Sequence, residues 1–244
     1  MKKTYIVTGT GKGIGRAFAE IVLANEPNAQ VIGISRSNEI AHERFHFLKA
    51  DLAKAENIEQ TIQDIKQQLS KQDFEELVLL NNAGIVAPMN RVGALPKNTT
   101  EEAFYVNTIA PLLLMNAILE HYGKQDCKKV IVNISSGAAK VAIDGWAVYS
   151  ASKAAVDAYT ATAAQEADKN YKNTYIAAVS PGVVDTPMQA DIRSADEAHF
   201  NVGKFKQLKS DGALRPPKEV GEAIYQLTLS PEKWNEVLIR LFDK

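Results

Sequence analysis

Thr8-Gly9-Thr10-Gly11-Lys12-Gly13-Ile14-Gly15 follows a short β-rich run and leads directly into an amphipathic helical pattern. Glycines let such a turn take left-handed backbone angles, and they let N–H groups approach a pyrophosphate at the N-terminus of the next helix. The turn departs from G-x-G-x-x-G at Ile14, and it is not a P-loop because no G-K-[ST] occurs. We predict a dinucleotide site made by Gly9, Lys12, Gly13, Ile14 and Gly15. A tight turn without a ligand is the alternative.

The same alternation of β-rich runs and helical patterns continues along the chain. Strands are predicted over residues 4–8, 30–35, 45–49, 77–81, 129–134, 175–180 and 237–241. Helices are predicted over residues 14–25, 57–69, 101–121, 147–167 and 217–229. This order predicts an α/β fold with a single Rossmann-type, doubly wound parallel sheet and helices on both faces, forming one domain over residues 1–244. Ligands of such sheets bind at the carboxyl ends of the strands.

Residues 185–214 interrupt this alternation. The segment is polar and much longer than the ~2 to 6 residues that usually connect a strand and a helix in such folds. We expect a lid over the substrate, and the alternative is an ordinary surface insertion.

Composition excludes several classes of partner. The 244 residues carry a formal charge of −1 and no run of Lys or Arg longer than two, which gives no charged footprint for nucleic acid or an anionic membrane. The four histidines have no metal-ligand spacing with each other or with Cys127, so no metal site is predicted. A single cysteine cannot form an intramolecular disulfide, and we expect a cytoplasmic protein.

The end of the second predicted strand bears on which cofactor is bound. An acidic residue at this place would bind the ribose 2′-hydroxyl of NAD. Here the residues are Ser35-Arg36. Arg36 is suited to a 2′-phosphate, and Lys12 adds a second positive charge. We predict NADPH/NADP, with NADH less favoured; the alternative is that Arg36 is a solvated surface residue.

The fifth predicted strand ends at Asn133-Ile134-Ser135-Ser136, and Tyr149-Ser150-Ala151-Ser152-Lys153 follows. On a helix, Tyr149 and Lys153 are four residues apart and share one face. A phenol with a pKa of about 10 exchanges protons poorly near neutrality, and a neighbouring ammonium would stabilise its phenolate. The Ser136 hydroxyl could hold a carbonyl oxygen as charge develops on it. A Tyr and a Lys at this spacing are also typical of an exposed amphipathic pair.

Taken together, the motifs resemble the short-chain dehydrogenase/reductase family in order along nearly the whole chain. The turn at residues 8–15 resembles the family's cofactor turn, and Asn107 resembles the residue that completes its Asn-Ser-Tyr-Lys tetrad. The resemblance implies catalytic roles for Asn107, Ser136, Tyr149 and Lys153. It also implies cofactor contacts from Asp51, Leu52, Asn82, Ala83, Gly84, Tyr149, Lys153, Pro181, Gly182, Val184 and Thr186, in addition to Ser35, Arg36 and the glycine turn.

Within that family, the chain is similar to sepiapterin reductases and bacterial benzil reductases. The similar stretches are residues 82–89, 145–149, 181–189 and 241–244. This resemblance implies substrate contacts from Ser136, Trp146, Tyr149, Met188 and Asp243. Asp243 would anchor a polar substrate through its carboxylate, and the alternative is a frayed, solvated chain end.

The implied activity is an NADPH-dependent reduction of a carbonyl or α-dicarbonyl substrate. Tyr149 would be the general acid, Lys153 would lower its pKa and hold the ribose, Ser136 would polarise the carbonyl, and Asn107 would support a water relay. The alternatives are a 3-oxoacyl carrier-protein reductase and a catalytically silent NADP-sensing scaffold. The resemblance also implies a homodimer through the helices at residues 101–121 and 147–167, with a homotetramer as the alternative.

Overall fold

A computed structural model describes residues 2–71 and 73–242, and these form one seven-stranded parallel sheet flanked by helices. The sheet order is β3-β2-β1-β4-β5-β6-β7. The strands are β1 (Lys3–Thr8), β2 (Ala29–Ser35), β3 (Phe45–Lys49), β4 (Glu76–Asn81), β5 (Lys128–Ile134), β6 (Thr174–Ser180) and β7 (Leu238–Arg240). The predicted fold class is confirmed.

The helices of the described residues are α1 (Gly13–Asn25), α2 (Ala55–Leu69), α3 (Lys97–Phe104), α4 (Ala110–Tyr122), α5 (Ala147–Asn170), α6 (Pro187–Arg193), α7 (Gly203–Ser210) and α8 (Pro217–Leu229). The helix predicted over residues 217–229 has those bounds, since Pro217 favours the first turn of a helix. The helix predicted over residues 101–121 begins earlier, at Lys97. Two short helices, α6 and α7, lie in the segment 185–214, where sequence periodicity indicated none.

Alternate residues of each strand face opposite sides of the sheet. On β1, Tyr5 and Val7 pack with α1 and α8, whereas Ile6 packs with α2, α4 and α5. Strand side chains alternate with a period of two, and helices cover both faces of the sheet, so the middle residues of the strands are mostly apolar and buried. The sheet therefore has a separate core on each side.

The strand order changes direction next to β1. The chain moves from β1 outward to β2 and β3, and then returns to β4 on the other side. In open parallel sheets a ligand binds in the crevice at such a switch point, beyond the carboxyl ends of the strands. The residues after β1, β4 and β5 all lie along that edge.

The helical run Lys97–Tyr122 is long and apolar enough to cross a membrane by length and composition. More than half of its most apolar stretch is buried inside the protein. Leu114 and Ile118 of this run pack with the sheet, as the residues of a core helix do.

Candidate active site

The glycine turn after β1 has a backbone that only glycine accommodates at two points. Gly9 and Gly13 have φ angles of +78° and +64°. A Cβ atom on Gly9 would lie 2.7 Å from the side-chain nitrogen of Asn82, which packs over the turn. The turn therefore leaves room for backbone N–H groups beside a ligand and none for side chains.

The loop after β4 is tied to this turn by Thr8. The Thr8 hydroxyl accepts hydrogen bonds of 2.9 Å from the backbone N–H groups of Asn82 and Ala83. The Asn82 side chain in turn donates to the Thr8 carbonyl at 2.9 Å. Asn82 and Ala83, which were expected to contact the cofactor, thus also fix the two loops that border the crevice.

The end of β2 presents free cations beside the glycine turn. Ser35 donates to the carbonyl of Ser37 at 2.6 Å, and its oxygen lies 3.2 Å from the Thr10 hydroxyl. Arg36 and Lys12 are exposed, and within residues 2–71 and 73–242 neither forms a hydrogen bond or an ion pair. A backbone cradle flanked by two unpaired cations fits a phosphorylated dinucleotide.

The turn after β3 is ordered by Asp51. Its carboxylate accepts the N–H of Ala53 at 3.2 Å, and its backbone carbonyl accepts the Asn57 amide at 3.0 Å. Leu52 is buried. This turn stands at the same edge of the sheet as the glycine turn, where the resemblance places the adenine.

Asn107 lies in a widened, π-helical turn, Tyr105–Ile109, between α3 and α4. Pro111 has no N–H to give to the carbonyl of Asn107 four residues earlier, and its ring crowds that carbonyl. These two effects explain why the regular α-helical bonding is interrupted at Asn107. The Asn107 side chain is 0% exposed and faces inward.

The side-chain amide of Asn107 links the loop after β4 to the first turn of α5. Its oxygen accepts the N–H of Ile85 at 2.8 Å, and its nitrogen donates to the Ile85 carbonyl at 2.8 Å. The same nitrogen lies 3.1 Å from the Ser152 hydroxyl, which donates to the carbonyl of Tyr149 at 2.8 Å. The loop after β4 and the first turn of α5 are therefore held in fixed relation.

Tyr149 and Lys153 lie on the buried face of α5 beside the end of β5. Burial raises the pKa of Tyr149, and a hydrogen bond with Ser136 opposes this shift. Burial lowers the pKa of Lys153 to about 8, against the opposing charge of Asp157. Sequence reasoning expected the Lys153 ammonium to lower the pKa of Tyr149; here the net shift is upward because burial dominates.

An apolar group of side chains, named here the site cluster, packs around Tyr149. The Trp146 ring centroid lies 5.1 Å from that of Tyr149, 5.3 Å from that of Phe200 and 5.2 Å from that of Phe205. The buried members are Val86, Ala138, Trp146, Tyr149, Ile192, Phe200, Val202 and Phe205, with Met89, Ile143 and Met188 partly buried against them. Trp146 and Met188, both expected near the substrate, are thus brought together with Tyr149.

Arg91 joins the segment 185–214 to the loop before α5. Its guanidinium forms an ion pair of 2.9 Å with Asp144 and donates to the Ala198 carbonyl at 3.2 Å. Gly145, with φ of +78°, allows close packing here, since a Cβ on it would lie 2.6 Å from the His199 carbonyl oxygen. The backbone around residues 198–200 therefore packs directly against the loop before α5.

The loop after β6 turns back toward the glycine turn. A Cβ on Gly13 would lie 3.2 Å from the methyl group of Thr186, so the two loops are in contact. Val184 is buried, and Arg215 bonds the backbone on either side of it, at Val183 and Asp185. Pro181 and Gly182 start this loop at the carboxyl end of β6.

Asp243 lies outside the described residues. Leu241, two residues earlier, donates its N–H to the Ser180 carbonyl at 3.1 Å. The described chain therefore ends at the same edge of the sheet as the loop that begins with Pro181.

The family model for short chain dehydrogenases matches residues 3–197. The chain belongs to the short-chain dehydrogenase family. Family members use a nicotinamide dinucleotide, and the cradle after β1 fits that cofactor. When bound, its nicotinamide ring supplies or accepts the hydride of an oxidation or reduction.

Two bacterial relatives cover almost the whole chain. The benzil reductase ((S)-benzoin forming) of Bacillus subtilis is 33% identical over 91% of this chain and 92% of its own length. The benzil reductase ((S)-benzoin forming) of Bacillus cereus is 35% identical over 97% of this chain and 98% of its own length. The sepiapterin reductase of Xenopus laevis is 27% identical over 75% of this chain and 74% of its own length. The resemblance to these two groups of short-chain dehydrogenases is thereby confirmed.

Among solved structures, the crystal structure of the KRED1-Pglu enzyme superposes with a TM-score of 0.84 at 26% identity. The match covers 98% of this chain and 100% of that one.

Sequence reasoning missed several residues that shape the site. Ser152 stands inside the motif Tyr149 to Lys153, and its link to Asn107 appears only once α4 and α5 are packed together. Phe200 and Phe205 have no motif, and their role depends on how the segment 185–214 folds. Pro111 was a usable signal, because a proline four residues after an Asn inside a helical pattern predicts an interrupted turn.

Proposed function

We propose that this short-chain dehydrogenase is an NADPH-dependent carbonyl reductase that reduces one carbonyl of an aromatic α-dicarbonyl compound to an alcohol. The observation that carries the proposal is the site cluster, an apolar and aromatic group of side chains packed around Tyr149. The names of the two Bacillus relatives, both benzil reductases, support the same substrate class.

The proton donor is the neutral phenol of Tyr149. Its raised pKa keeps it protonated at neutral pH, which is the state that a general acid needs for reduction. Ser136, whose hydroxyl interacts with this phenol, holds the carbonyl oxygen as negative charge develops on it. The carbonyl carbon gains a hydride and its oxygen gains the Tyr149 proton, so one C=O bond becomes CH–OH.

Lys153 and Asn107 position the donor. The Lys153 ammonium is fixed by the Ile134 carbonyl at 2.8 Å, and it is placed to bind the cofactor ribose. Asn107 holds the first turn of α5 through Ser152, and with its interrupted helical turn it supports the water relay that returns a proton to Tyr149.

Arg36 and Lys12 select NADPH over NADH in this proposal, because both cations are free to bind a 2′-phosphate. Residues 185–214 act as the lid of a single domain, with Phe200 and Phe205 closing over Trp146. The assembly is a homodimer in the cytoplasm, and a homotetramer is the alternative.

The test measures oxidation of NADPH by the purified protein with benzil, followed by absorbance at the nicotinamide band. We expect turnover by the wild type and a loss of more than about 100-fold in kcat for Tyr149→Phe, which keeps NADPH binding. Turnover of acetoacetyl thioesters without benzil reduction would favour the 3-oxoacyl reductase. Tight NADPH binding without turnover of either would indicate a silent scaffold.

A further inference from the structure

The indole nitrogen of Trp146 is buried and has no hydrogen-bond partner among the residues that the structure describes. The Trp146 side chain is 6% exposed. The chain's other tryptophan, Trp234, shows the usual arrangement, since its indole N–H donates to the Leu227 carbonyl at 3.1 Å. A buried donor without an acceptor is costly and uncommon in a folded protein, so the Trp146 N–H calls for a specific explanation.

Trp146 lies immediately beside the proton donor. It precedes α5, and its ring meets that of Tyr149 edge to face, at 5.1 Å between centroids and 63° between planes. The opposite side of the indole is covered by Phe200, stacked at 5.3 Å. Neither of these neighbours gives the N–H an acceptor, so the donor is free to bind a molecule that enters the site cluster beside Tyr149.

The carbonyl groups of an α-dicarbonyl compound are on adjacent carbons. When the first oxygen is held by Ser136 and Tyr149, the second oxygen is carried by the adjacent carbon, and a carbonyl oxygen is an acceptor only. Gln189 also has an unpartnered buried atom, Oε1, but that atom is itself an acceptor and cannot bind a carbonyl oxygen. Trp146 supplies the complementary donor.

We propose that the indole N–H of Trp146 donates a hydrogen bond to the second, unreduced carbonyl oxygen of the substrate, and so selects α-dicarbonyl compounds over simple ketones. This inference rests on the proposed function. The bond fixes which carbonyl faces Tyr149, and it draws electron density away from the adjacent carbon that accepts the hydride. A ketone without the second oxygen leaves the donor unpaired, which is the kind of mismatch that gives strong discrimination.

The experiment compares benzil with deoxybenzoin, which has the same two phenyl rings and one carbonyl. For Trp146→Phe, which keeps an apolar ring and removes the N–H, we expect kcat/KM for benzil to fall about fivefold or more and that for deoxybenzoin to change less than about twofold. Trp146→His, which restores a ring N–H, should recover part of the benzil preference. Trp234→Phe is the matched control and should leave the ratio unchanged.

The outcomes separate this inference from the proposed function. A wild type that does not reduce benzil overturns the function itself. Only the role of Trp146 is overturned if the wild type reduces benzil and the Phe variant has kcat/KM values that fall equally for both substrates or for neither. If the Phe variant has a lowered Tm, the His variant decides. A folded His variant that keeps part of the wild-type preference for benzil supports the hydrogen bond, and a folded His variant that has lost this preference counts against it.

Discussion

The ammonium of Lys153 donates a 2.8 Å hydrogen bond to the carbonyl oxygen of Ile134, the last residue of β5. This bond joins α5 to the end of strand β5. Among the residues that the structure describes, it is the only hydrogen bond of this amine. Lys153 is 4% exposed, and burial lowers its pKa from 10.5 to about 8. The folded protein therefore carries this positive charge at a free-energy cost at neutral pH.

That cost predicts how stability changes with pH. Below pH 8 Lys153 is charged in both the folded and unfolded states, and the cost is present in full. Between pH 8 and about 10.5 the folded state has lost the proton and the unfolded state keeps it, so the free energy of unfolding rises with pH. Between pH 7 and pH 10.5 the free energy of unfolding of the wild type should rise, relative to that of Lys153→Met, by up to about 3 kcal/mol.

Urea unfolding of both proteins at the two pH values measures this difference. Lys140→Met, which removes an exposed lysine, is the matched control. The difference in the free energy of unfolding between the wild type and this variant should not change with pH. A difference between the wild type and Lys153→Met that stays constant with pH would contradict a lowered pKa at Lys153.

Cofactor preference should depend on Arg36. Each charge-assisted contact to a 2′-phosphate is worth roughly 1.5 to 3 kcal/mol, so the wild type should prefer NADPH over NADH by at least about tenfold in kcat/KM. Arg36→Asp should move the preference toward NADH, because a carboxylate repels the phosphate and accepts the ribose hydroxyls. Steady-state rates with the two cofactors at one substrate concentration test this. Equal use of both by the wild type would remove Arg36 and Lys12 from cofactor selection.

The sequence was sufficient to predict the seven strands and their parallel orientation, because buried parallel strands have short apolar runs in their sequences. The pairing of Tyr149 with Lys153 followed from a spacing of four residues on a helix. Ser136 was added by its place after the fifth strand and by the family resemblance. What could not be predicted depends on packing between distant segments. The pKa of Tyr149 is governed by how deeply the ring is buried, and the site cluster depends on where Phe200 settles. Neither has a local signature.

Assembly is the next prediction. Leu112 is 38% exposed on α4, one of the two helices expected to form a two-fold interface. Light scattering at micromolar concentration should give about 53 kDa, twice the 26.7 kDa of the chain. Leu112→Glu should shift the protein toward the monomer, since a buried charge without a partner opposes association.

Ala24→Glu places the same charge on an exposed position of α1, on the other face of the sheet, and should leave the mass unchanged. A wild-type particle of about 27 kDa would rule out the interface.

Asp243 is predicted to contact polar substrates. A carboxylate can accept two parallel hydrogen bonds from adjacent N–H groups, as a pterin ring offers. Asp243→Asn should raise KM for a pterin-like substrate by about tenfold, which corresponds to ~1.5 kcal/mol, and should scarcely change the reduction of benzil. Kinetics with both substrates provide the measurement, and benzil serves as the internal control. An equal effect on the two, or none on either, would place Asp243 outside the site.

Gly145 constrains how this enzyme could be redesigned. Its left-handed φ and the close approach of the His199 carbonyl mean that any side chain at this position would push the segment around Phe200 away from the loop before α5. Directed evolution of substrate range should therefore vary the facing side chains, such as Phe200 and Phe205, and keep residue 145 unchanged. Libraries that randomise position 145 would place side chains against the His199 backbone and strain a left-handed turn, so we expect them to yield fewer folded variants.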